Sequence, residues 1–204
     1  MGIKKVIYTV QHTESVHHTN GHVGAWGDWP LSERGMEQAR AVGRALAAEG
    51  VDGSYVMYCS DLQRAVMTAA GINETLHLTP EYLPIIREVN AGEGNGRPYE
   101  WFAANRAPQN GYDPDYRPFP DAESDRDVWK RLTPFYEMIT KNEASRIVVV
   151  SHGTALGFLQ EMLCGLRFED VTGHRFHGRA GSVCRFTIGD DERINTEYIN
   201  RLYC

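Results

Sequence analysis

Apolar runs and amphipathic segments alternate along the chain. Runs of β-branched and aromatic residues predict strands at 5–10, 55–59, 147–150, 182–188 and 193–199, with a weaker one at 76–78. Apolar residues recur at helical spacing after Ser32 and after Ser124, and two more helices follow the strands that end at Cys59 and Val150. This alternation predicts an α/β three-layer sandwich, in which helices flank a mostly parallel central sheet.

The segment 89–121 interrupts the pattern. Prolines cluster between Pro98 and Pro120, with Asn, Gly, Asp and aromatic residues interleaved. A connection of this length is usually a functional lid or cap that carries short helices, and Glu100 to Asn105 is a candidate for one of them. Because no stretch has the composition of a linker, residues 1–204 are predicted to form one domain with an irregular capping segment at about 89–121.

Composition narrows the class of protein. The net charge of −6 and the pI near 5.7 argue against a nucleic-acid binder. No apolar run approaches the roughly 18 residues of a membrane span, and the N-terminal residues lack a signal peptide's apolar core. Scattered cysteines without such a signal indicate reduced thiols, with Cys59, Cys164 and Cys184 expected to be buried. We expect a cytoplasmic protein with no nucleic-acid or membrane partner, and the choice between monomer and homodimer stays open.

Two apolar strands each deliver a histidine at their carboxyl end. His12 follows the first strand, and His152 follows the run 147–150. Ligands of α/β sheets bind outside the carboxyl ends of strands. Two imidazoles there favour a phosphoryl site, in which one attacks phosphorus and a protonated second one balances the phosphate charge. Arg64, near a helix start, is the candidate phosphate clamp, and Glu88 is the candidate proton donor for the leaving oxygen.

These residues lie in motifs that resemble a known family. In chain order the motifs are His12, 30–35 with Gln38 and Ala39, 60–65 with Thr68 and Ala69, Arg87 and Glu88, Glu123 and Ser124, and 151–153. Together they resemble the histidine phosphatase superfamily, also called the phosphoglycerate mutase-like family. The resemblance implies a phosphohistidine mechanism without metal or cofactor on a small phosphorylated substrate. His12 would be the nucleophile, Arg64 and His152 would bind phosphate, and Glu88 would be the acid/base.

Further residues expected to contact the substrate are Gln11, Ser15, His18, Gly153 and Thr154. Gly153 and Thr154 would offer backbone N–H donors at a helix start. His18 lies where many relatives have a substrate-contacting asparagine. A metal site in the histidine-rich loop is not expected, because adjacent histidines such as His17 and His18 point apart in most backbones.

The pair Gln11-His12 departs from the family signature, which reads Arg-His-Gly where this chain has Gln-His-Thr. Glutamine keeps a donor but loses the charge and the five-donor fork of arginine. Losing a charge-assisted contact of roughly 1.5–3 kcal/mol in the transition state would slow the step about 10- to 150-fold. The leading hypothesis is a metal-independent phosphatase weakened by Gln11. Its alternatives are a degenerate member that binds a phosphorylated or anionic ligand without turnover, a phosphoglycerate mutase-like phosphotransferase, and a member acting on a less charged substrate.

Overall fold

The computed structural model describes residues 2–171, 176 and 178–203. Within them the strands are β1 Ile3–Gln11, β2 Val56–Cys59, β3 Pro80–Tyr82, β4 Arg146–Ser151, β5 Val183–Gly189 and β6 Ile194–Arg201. The α-helices are α1 Glu33–Ala48, α2 Gln63–Leu76, α3 Tyr99–Asn105, α4 Asp125–Lys141 and α5 Gly153–Leu163. The strands form one mixed sheet in the order β3-β2-β4-β1-β5-β6.

Strands β1 to β4 run parallel, and β5 and β6 add an antiparallel pair at one side. This confirms the mostly parallel sheet expected from the sequence. Strands β1 and β4 are neighbours, and Gln11 is in register with Ser151. Their carboxyl ends therefore deliver His12 and His152 side by side at one edge of the sheet.

Apolar side chains cover both faces of the sheet, which confirms the sandwich. On β4, Ile147 and Val149 pack in one core with α4 and α5, whereas Val148 and Val150 pack in the other with α1 and α2. A strand that is buried on both faces needs apolar residues at every position, and this explains its unbroken apolar run. We keep the expectation of a single domain, which one cooperative unfolding transition would test.

The predicted helix starts are confirmed by their caps. The hydroxyl of Ser32 accepts a hydrogen bond from the backbone N–H of Gly35 at the start of α1. Ser124 and Asp127 form a reciprocal capping box at the start of α4. Beyond α1, Gly50 adopts a φ of +88°, which glycine tolerates without strain.

The strand predicted at 76–78 is wrong. Helix α2 continues to Leu76, because Ile72 and Leu76 still face the core, and it ends where His77 takes a left-handed φ of 55°. The side chain of Asn73 then bonds both backbone groups of Leu78, in place of a neighbouring strand. The edge strand begins later, at Pro80. The buried position expected for Cys164 is also wrong, since this residue is exposed just beyond α5.

The capping segment 89–121 contains the expected short helix, α3. Its backbone pairs with the loop after β1, where Val23 N–H donates to Arg97 O and Tyr99 N–H donates to Gly21 O. Phe102 packs edge-on against Phe119 inside the segment, which holds α3 in place. No described helix is both long enough and apolar enough to cross a membrane.

Candidate functional site

His12 lies directly after β1 and is only 3% exposed. Its Nδ1 atom lies 2.8 Å from the backbone oxygen of Thr13. A carbonyl oxygen only accepts, so Nδ1 carries the proton and the Nε2 lone pair is left to react. Burial, reinforced by the charge of Arg64, holds the pKa of His12 well below its usual range. The ring is therefore a neutral base with a fixed orientation, which is the state that a nucleophile requires.

Arg64 lies in the first turn of α2 and is 1% exposed, so it is not a surface arginine. Its Nε–H donates to His12 Nε2 at 3.2 Å, and its two terminal nitrogens donate to Gly27 O at 2.9 Å and Ala25 O at 2.7 Å. Burial lowers the pKa of Arg64 to about 10, which still leaves it charged at neutral pH. A buried cation thus touches the reactive nitrogen and also fastens the loop after β1 to helix α2.

His152 is fully buried, and its ring centroid lies 5.1 Å from that of His12. Its Nε2 atom is 2.8 Å from Ser60 Oγ, whereas its buried Nδ1 atom has no hydrogen-bond partner among the described residues. The sequence predicts a protonated second imidazole. Burial and the nearby Arg64 charge instead lower the pKa of His152 well below its usual range, so this ring is neutral in the structure.

His17 and His18 do not point apart, contrary to the sequence-based expectation. Both rings fold back onto Ser15: His17 Nδ1 lies 3.0 Å from Ser15 Oγ, and Ser15 N–H donates to His18 Nδ1 at 3.2 Å. Their centroids are consequently 4.0 Å apart, and His18 stacks on His12 at 5.4 Å. Because Nδ1 of His18 accepts, its Nε2 carries the proton and is a donor.

One nitrogen from each of His12, His17 and His18 lies within 4.8 Å of the others, an arrangement from which a metal site could be built. However, the lone pair of His12 Nε2 accepts from Arg64, and that of His18 Nδ1 accepts from Ser15. The guanidinium would also repel a cation at this point. The cluster therefore suits an anion better than a metal ion, and a metal-free site stays a prediction.

Ser15, expected to contact the substrate, is fully buried behind His17. Its hydroxyl donates to Pro30 O at 2.8 Å, so the contact with His17 Nδ1 must be one that Ser15 accepts. The structure gives this residue a supporting position for the histidine loop, outside the cavity described below.

Glu88 caps the N-terminus of α5. Its carboxylate accepts hydrogen bonds from Thr154 N–H at 3.0 Å, Ala155 N–H at 3.1 Å and Val89 N–H at 2.9 Å. The donor that the sequence assigned to phosphate at Thr154 is thus taken by Glu88. Proton donation by Glu88 to a ligand in the cavity therefore requires its carboxyl group to leave this cap.

A cavity of about 540 Å³ opens above His12. The predicted site residues that line it are Gln11, His12, His18, Arg64, Glu88, Gly153 and Thr154. Ser15 and His152 lie behind this lining. The amide of Gln11 lies next to Gly153, where an added Cβ would come within 3.4 Å of Gln11 Nε2. Seven of the nine predicted residues are therefore brought together by the fold.

Sequence reasoning missed the outer wall of this cavity. Tyr99, Phe102, Tyr112 and Tyr116 of the capping segment line it. The only signal for them was the aromatic content of 89–121, because irregular backbone gives no periodicity from which side-chain direction could be read.

The fold and this cavity define an α/β sandwich that presents a histidine–arginine pair at the carboxyl edge of its sheet. The chain belongs to the histidine phosphatase superfamily (branch 1), whose family model matches residues 7–200. This confirms the resemblance seen in the sequence. Membership supports an enzyme of phosphoryl transfer, since relatives of this fold include mutases and phosphatases.

Individual relatives support the same assignment. The chain is 32% identical over 186 residues to a 2,3-bisphosphoglycerate-dependent phosphoglycerate mutase of Methylobacterium radiotolerans, covering 83% of this chain and 84% of the relative. A mycobacterial glucosyl-3-phosphoglycerate phosphatase superposes with a TM-score of 0.79 at 20% identity, covering 96% of this chain and 98% of that one. The α-ribazole phosphatase of Shigella flexneri gives 0.76 at 20% identity and 96% coverage of both chains. At such identities these structures establish the fold alone.

Proposed function

We propose that this protein is a metal-independent phosphatase that hydrolyses a small phosphorylated metabolite through a phosphohistidine at His12. The observation that carries the proposal is the contact between His12 and Arg64. It sets a neutral imidazole nitrogen, held in one tautomer, beside a buried cation at the base of a cavity. Phosphoryl transfer is catalysed mainly by positioning and electrostatics, which this pair supplies.

The reaction would proceed in two displacements. The Nε2 lone pair of His12 gives up its hydrogen bond from Arg64 and forms a bond to phosphorus while the ester P–O bond breaks, and the departing alcohol oxygen takes up a proton. Water then attacks the phosphohistidine, the N–P bond breaks, and inorganic phosphate leaves. The sum is ester plus water giving alcohol plus phosphate, so no co-reactant is needed.

Donors around His12 would hold the phosphoryl oxygens. Arg64 contributes charge, His18 contributes its Nε2–H, and the amide of Gln11 reaches the same cavity. The buried Nδ1 of His152 is unpartnered among the described residues, but His152 lies behind the lining, so a phosphate oxygen would reach this atom only if the residues in front of it move. Proton transfer to the leaving group is assigned to Glu88, which lines the cavity and would exchange its cap contacts for the substrate.

The direct test is hydrolysis of a panel of phosphorylated metabolites by wild type, His12→Asn and the control His22→Asn. His22 lies in the same loop, but its ring bonds Asn20 O and packs on Trp29. We expect His22→Asn to retain activity and His12→Asn to lose at least about 10³-fold in kcat, as expected when a nucleophile is removed. Equal rates in all three proteins would refute the proposal.

A second candidate is favoured by Gln11: ligand binding without turnover. The cavity lacks the arginine of the family signature, and two nitrogens of Arg64 already donate hydrogen bonds to Ala25 O and Gly27 O. The variant Gln11→Arg distinguishes the two candidates. A weakened phosphatase should gain about 10- to 150-fold in rate, the inverse of losing one charge-assisted contact. A binding protein would remain inactive while its affinity for phosphate esters rises.

A phosphotransferase remains to be separated from a hydrolase, because the relative from Methylobacterium radiotolerans is a mutase. Phosphorus NMR of the products of 3-phosphoglycerate would show 2-phosphoglycerate for a mutase, and inorganic phosphate released together with glycerate for a phosphatase. We propose glycerate or no reaction.

The cysteines Cys59, Cys164 and Cys184 are free thiols in the described part of the chain. They support our further proposal that the protein works in the reducing cytoplasm.

A further inference from the structure

We propose that the outer part of the cavity selects a phosphomonoester whose organic part carries an aromatic ring and no second anionic group. This rests on the proposed function, since it takes the phosphate end of the ligand to lie at His12. It concerns a part of the molecule that the phosphoryl chemistry does not use, namely the wall contributed by the capping segment.

The size of the cavity requires a sizeable organic part. Its volume of about 540 Å³ lies within the range of roughly 300–1,000 Å³ that is typical of sites for drug-sized ligands. The residues around His12 take up only its inner end. The remaining space extends along the capping segment, from Val89 to Pro118, where the organic part of an ester would lie.

Aromatic side chains line this outer space. Phe102 is fixed by its edge-on contact with Phe119, and Tyr116 is fixed by donating its hydroxyl to Ala107 O at 2.7 Å. Tyr99 and Tyr112 are 53% and 40% exposed, which makes them two of the few large apolar side chains open to solvent in the described chain. Exposed aromatic rings at the mouth of a cavity are the residues that stack on a ligand ring.

Charge excludes a second anion. Among the described residues that line the cavity, Arg64 is the one arginine or lysine, and it lies at the inner end on His12. The carboxylates in the lining are Glu88, Asp113, Glu123 and Asp125. Glu123 is neutralised by Arg131, which lies outside the lining, but Asp113 is exposed at the mouth. A carboxylate or second phosphate on the ligand would therefore meet negative charge without a described cation to pair with.

The experiment compares ligands that share their phosphate-bearing carbon. Adenosine 5′-monophosphate carries adenine where ribose 5-phosphate has its anomeric hydroxyl, and 3-phosphoglycerate has a short chain that ends in a carboxylate in place of the sugar. Equilibrium affinities are measured by calorimetry on the His12→Asn protein, which separates recognition from turnover. We expect adenosine 5′-monophosphate to bind about 5- to 150-fold more tightly than ribose 5-phosphate, the factor that one base–aromatic stack provides. We expect 3-phosphoglycerate to bind most weakly.

A variant assigns the preference to the wall. In the same His12→Asn background, Tyr99→Ala should weaken adenosine 5′-monophosphate at least about 5-fold, the loss of one stack, and leave ribose 5-phosphate unchanged. Tyr82→Ala is the matched control, because Tyr82 is 47% exposed but lies on β3, outside the cavity. The inference would be overturned by equal affinity for the two ribose compounds, or by tighter binding of 3-phosphoglycerate than of either of them. It would also be overturned if Tyr99→Ala left the affinity for adenosine 5′-monophosphate unchanged.

The two proposals fail in different ways. If the wild-type protein hydrolyses 3-phosphoglycerate faster than adenosine 5′-monophosphate while His12→Asn is inactive, the phosphatase stands and the aromatic preference falls. If the ring preference is measured but no ester is hydrolysed in a His12-dependent way, the cavity wall is assigned correctly and the catalytic proposal falls.

Discussion

The Nε atom of Arg64 lies 3.2 Å from the Nε2 atom of His12, and neither side chain is more than 3% exposed. This contact joins the end of β1 to the start of α2 inside the protein. It explains why the reactive nitrogen is neutral, since the guanidinium and burial both disfavour a second positive charge. It also places Arg64 at two points: beside His12 at the base of the cavity and, through Ala25 and Gly27, in the loop after β1.

Replacing Arg64 should therefore damage both catalysis and stability. Arg64→Met removes the cation and leaves Ala25 O without its donor, whereas Gly27 O keeps the N–H of Trp29. We expect kcat/KM to fall by about 10²–10³-fold, as for loss of one transition-state donor. We also expect the free energy of unfolding to fall by about 1–3 kcal/mol, the cost of one unsatisfied buried group. Steady-state kinetics and urea unfolding measure the two effects.

Arg40→Met is the control for this substitution, because Arg40 lies on the surface and pairs with Glu74. It should leave kcat/KM unchanged and change the free energy of unfolding by no more than about 0.5 kcal/mol. An Arg64→Met protein with full activity would show that the buried cation does not serve phosphoryl transfer.

Glu88→Gln tests whether Glu88 leaves its cap to donate a proton. For substrates with a poor leaving group, such as alkyl phosphates, kcat should fall by about 10²–10⁴-fold. For p-nitrophenyl phosphate, whose leaving group needs little protonation, kcat should fall far less. Loss of the carboxylate from the N-terminus of α5 should lower the free energy of unfolding by about 0.5–2 kcal/mol.

The control for Glu88→Gln is Glu93→Gln, an exposed position of the capping segment. It should leave both substrates unaffected. An equal loss on alkyl and nitrophenyl esters in Glu88→Gln would assign Glu88 a purely structural position at the helix start.

The buried histidine loop should make the fold sensitive to acid. Burial, with smaller contributions from His18 and Arg64, lowers the pKa of His17 to about 3. In the unfolded chain a histidine titrates near 6.5. Below that pH the unfolded state binds the extra proton, so the free energy of unfolding falls as pH drops. From pH 7.5 to pH 5 we expect His17 alone to remove about 1–2 kcal/mol.

Urea unfolding of His17→Asn and His22→Asn at both pH values measures this dependence. His17→Asn should reduce the fall in stability between pH 7.5 and pH 5 by about 1–2 kcal/mol, because buried His12 and His152 still contribute to it, whereas His22→Asn should keep the full fall. The same slope in His17→Asn as in wild type would mean that His17 is not held neutral by burial.

Local patterns made part of this site predictable. A strand end followed by His12, and a strand end followed by a helix that carries Arg64, are features of short segments, and parallel pairing then brings them to one edge. The contact between the two side chains follows from topology, which the alternation of strands and helices already implied.

The errors fall where side chains compete for backbone donors. Nothing in the sequence shows that Glu88 takes the N–H of Thr154, or that Ser15 turns inward to hold His17. Both depend on irregular turns whose geometry is set by long-range packing. The strand predicted at 76–78 is wrong for a separate reason. Leu76 and Leu78 are both buried at a helix end, and their apolar alternation there imitates that of a strand.

We expect the departure at Gln11 to affect the reaction rate more than the architecture. Its backbone keeps its place beside Ser151 in the sheet, and its amide still faces the cavity beside Gly153. What it lacks is charge. We therefore expect a slow enzyme rather than a misfolded one.

Trapping a phosphorylated form of the protein is the sharpest test of whether His12 is the nucleophile. Wild type and His12→Asn are each mixed with a phosphate ester that the wild-type protein hydrolyses, and the reaction is quenched within milliseconds. The proteins are then examined by intact mass and by peptide mapping without acid. We expect one acid-labile phosphoryl group per wild-type chain, located on His12, and none in His12→Asn. Hydrolysis that persists at the wild-type rate in His12→Asn, or a phosphoryl group on another residue, would contradict it.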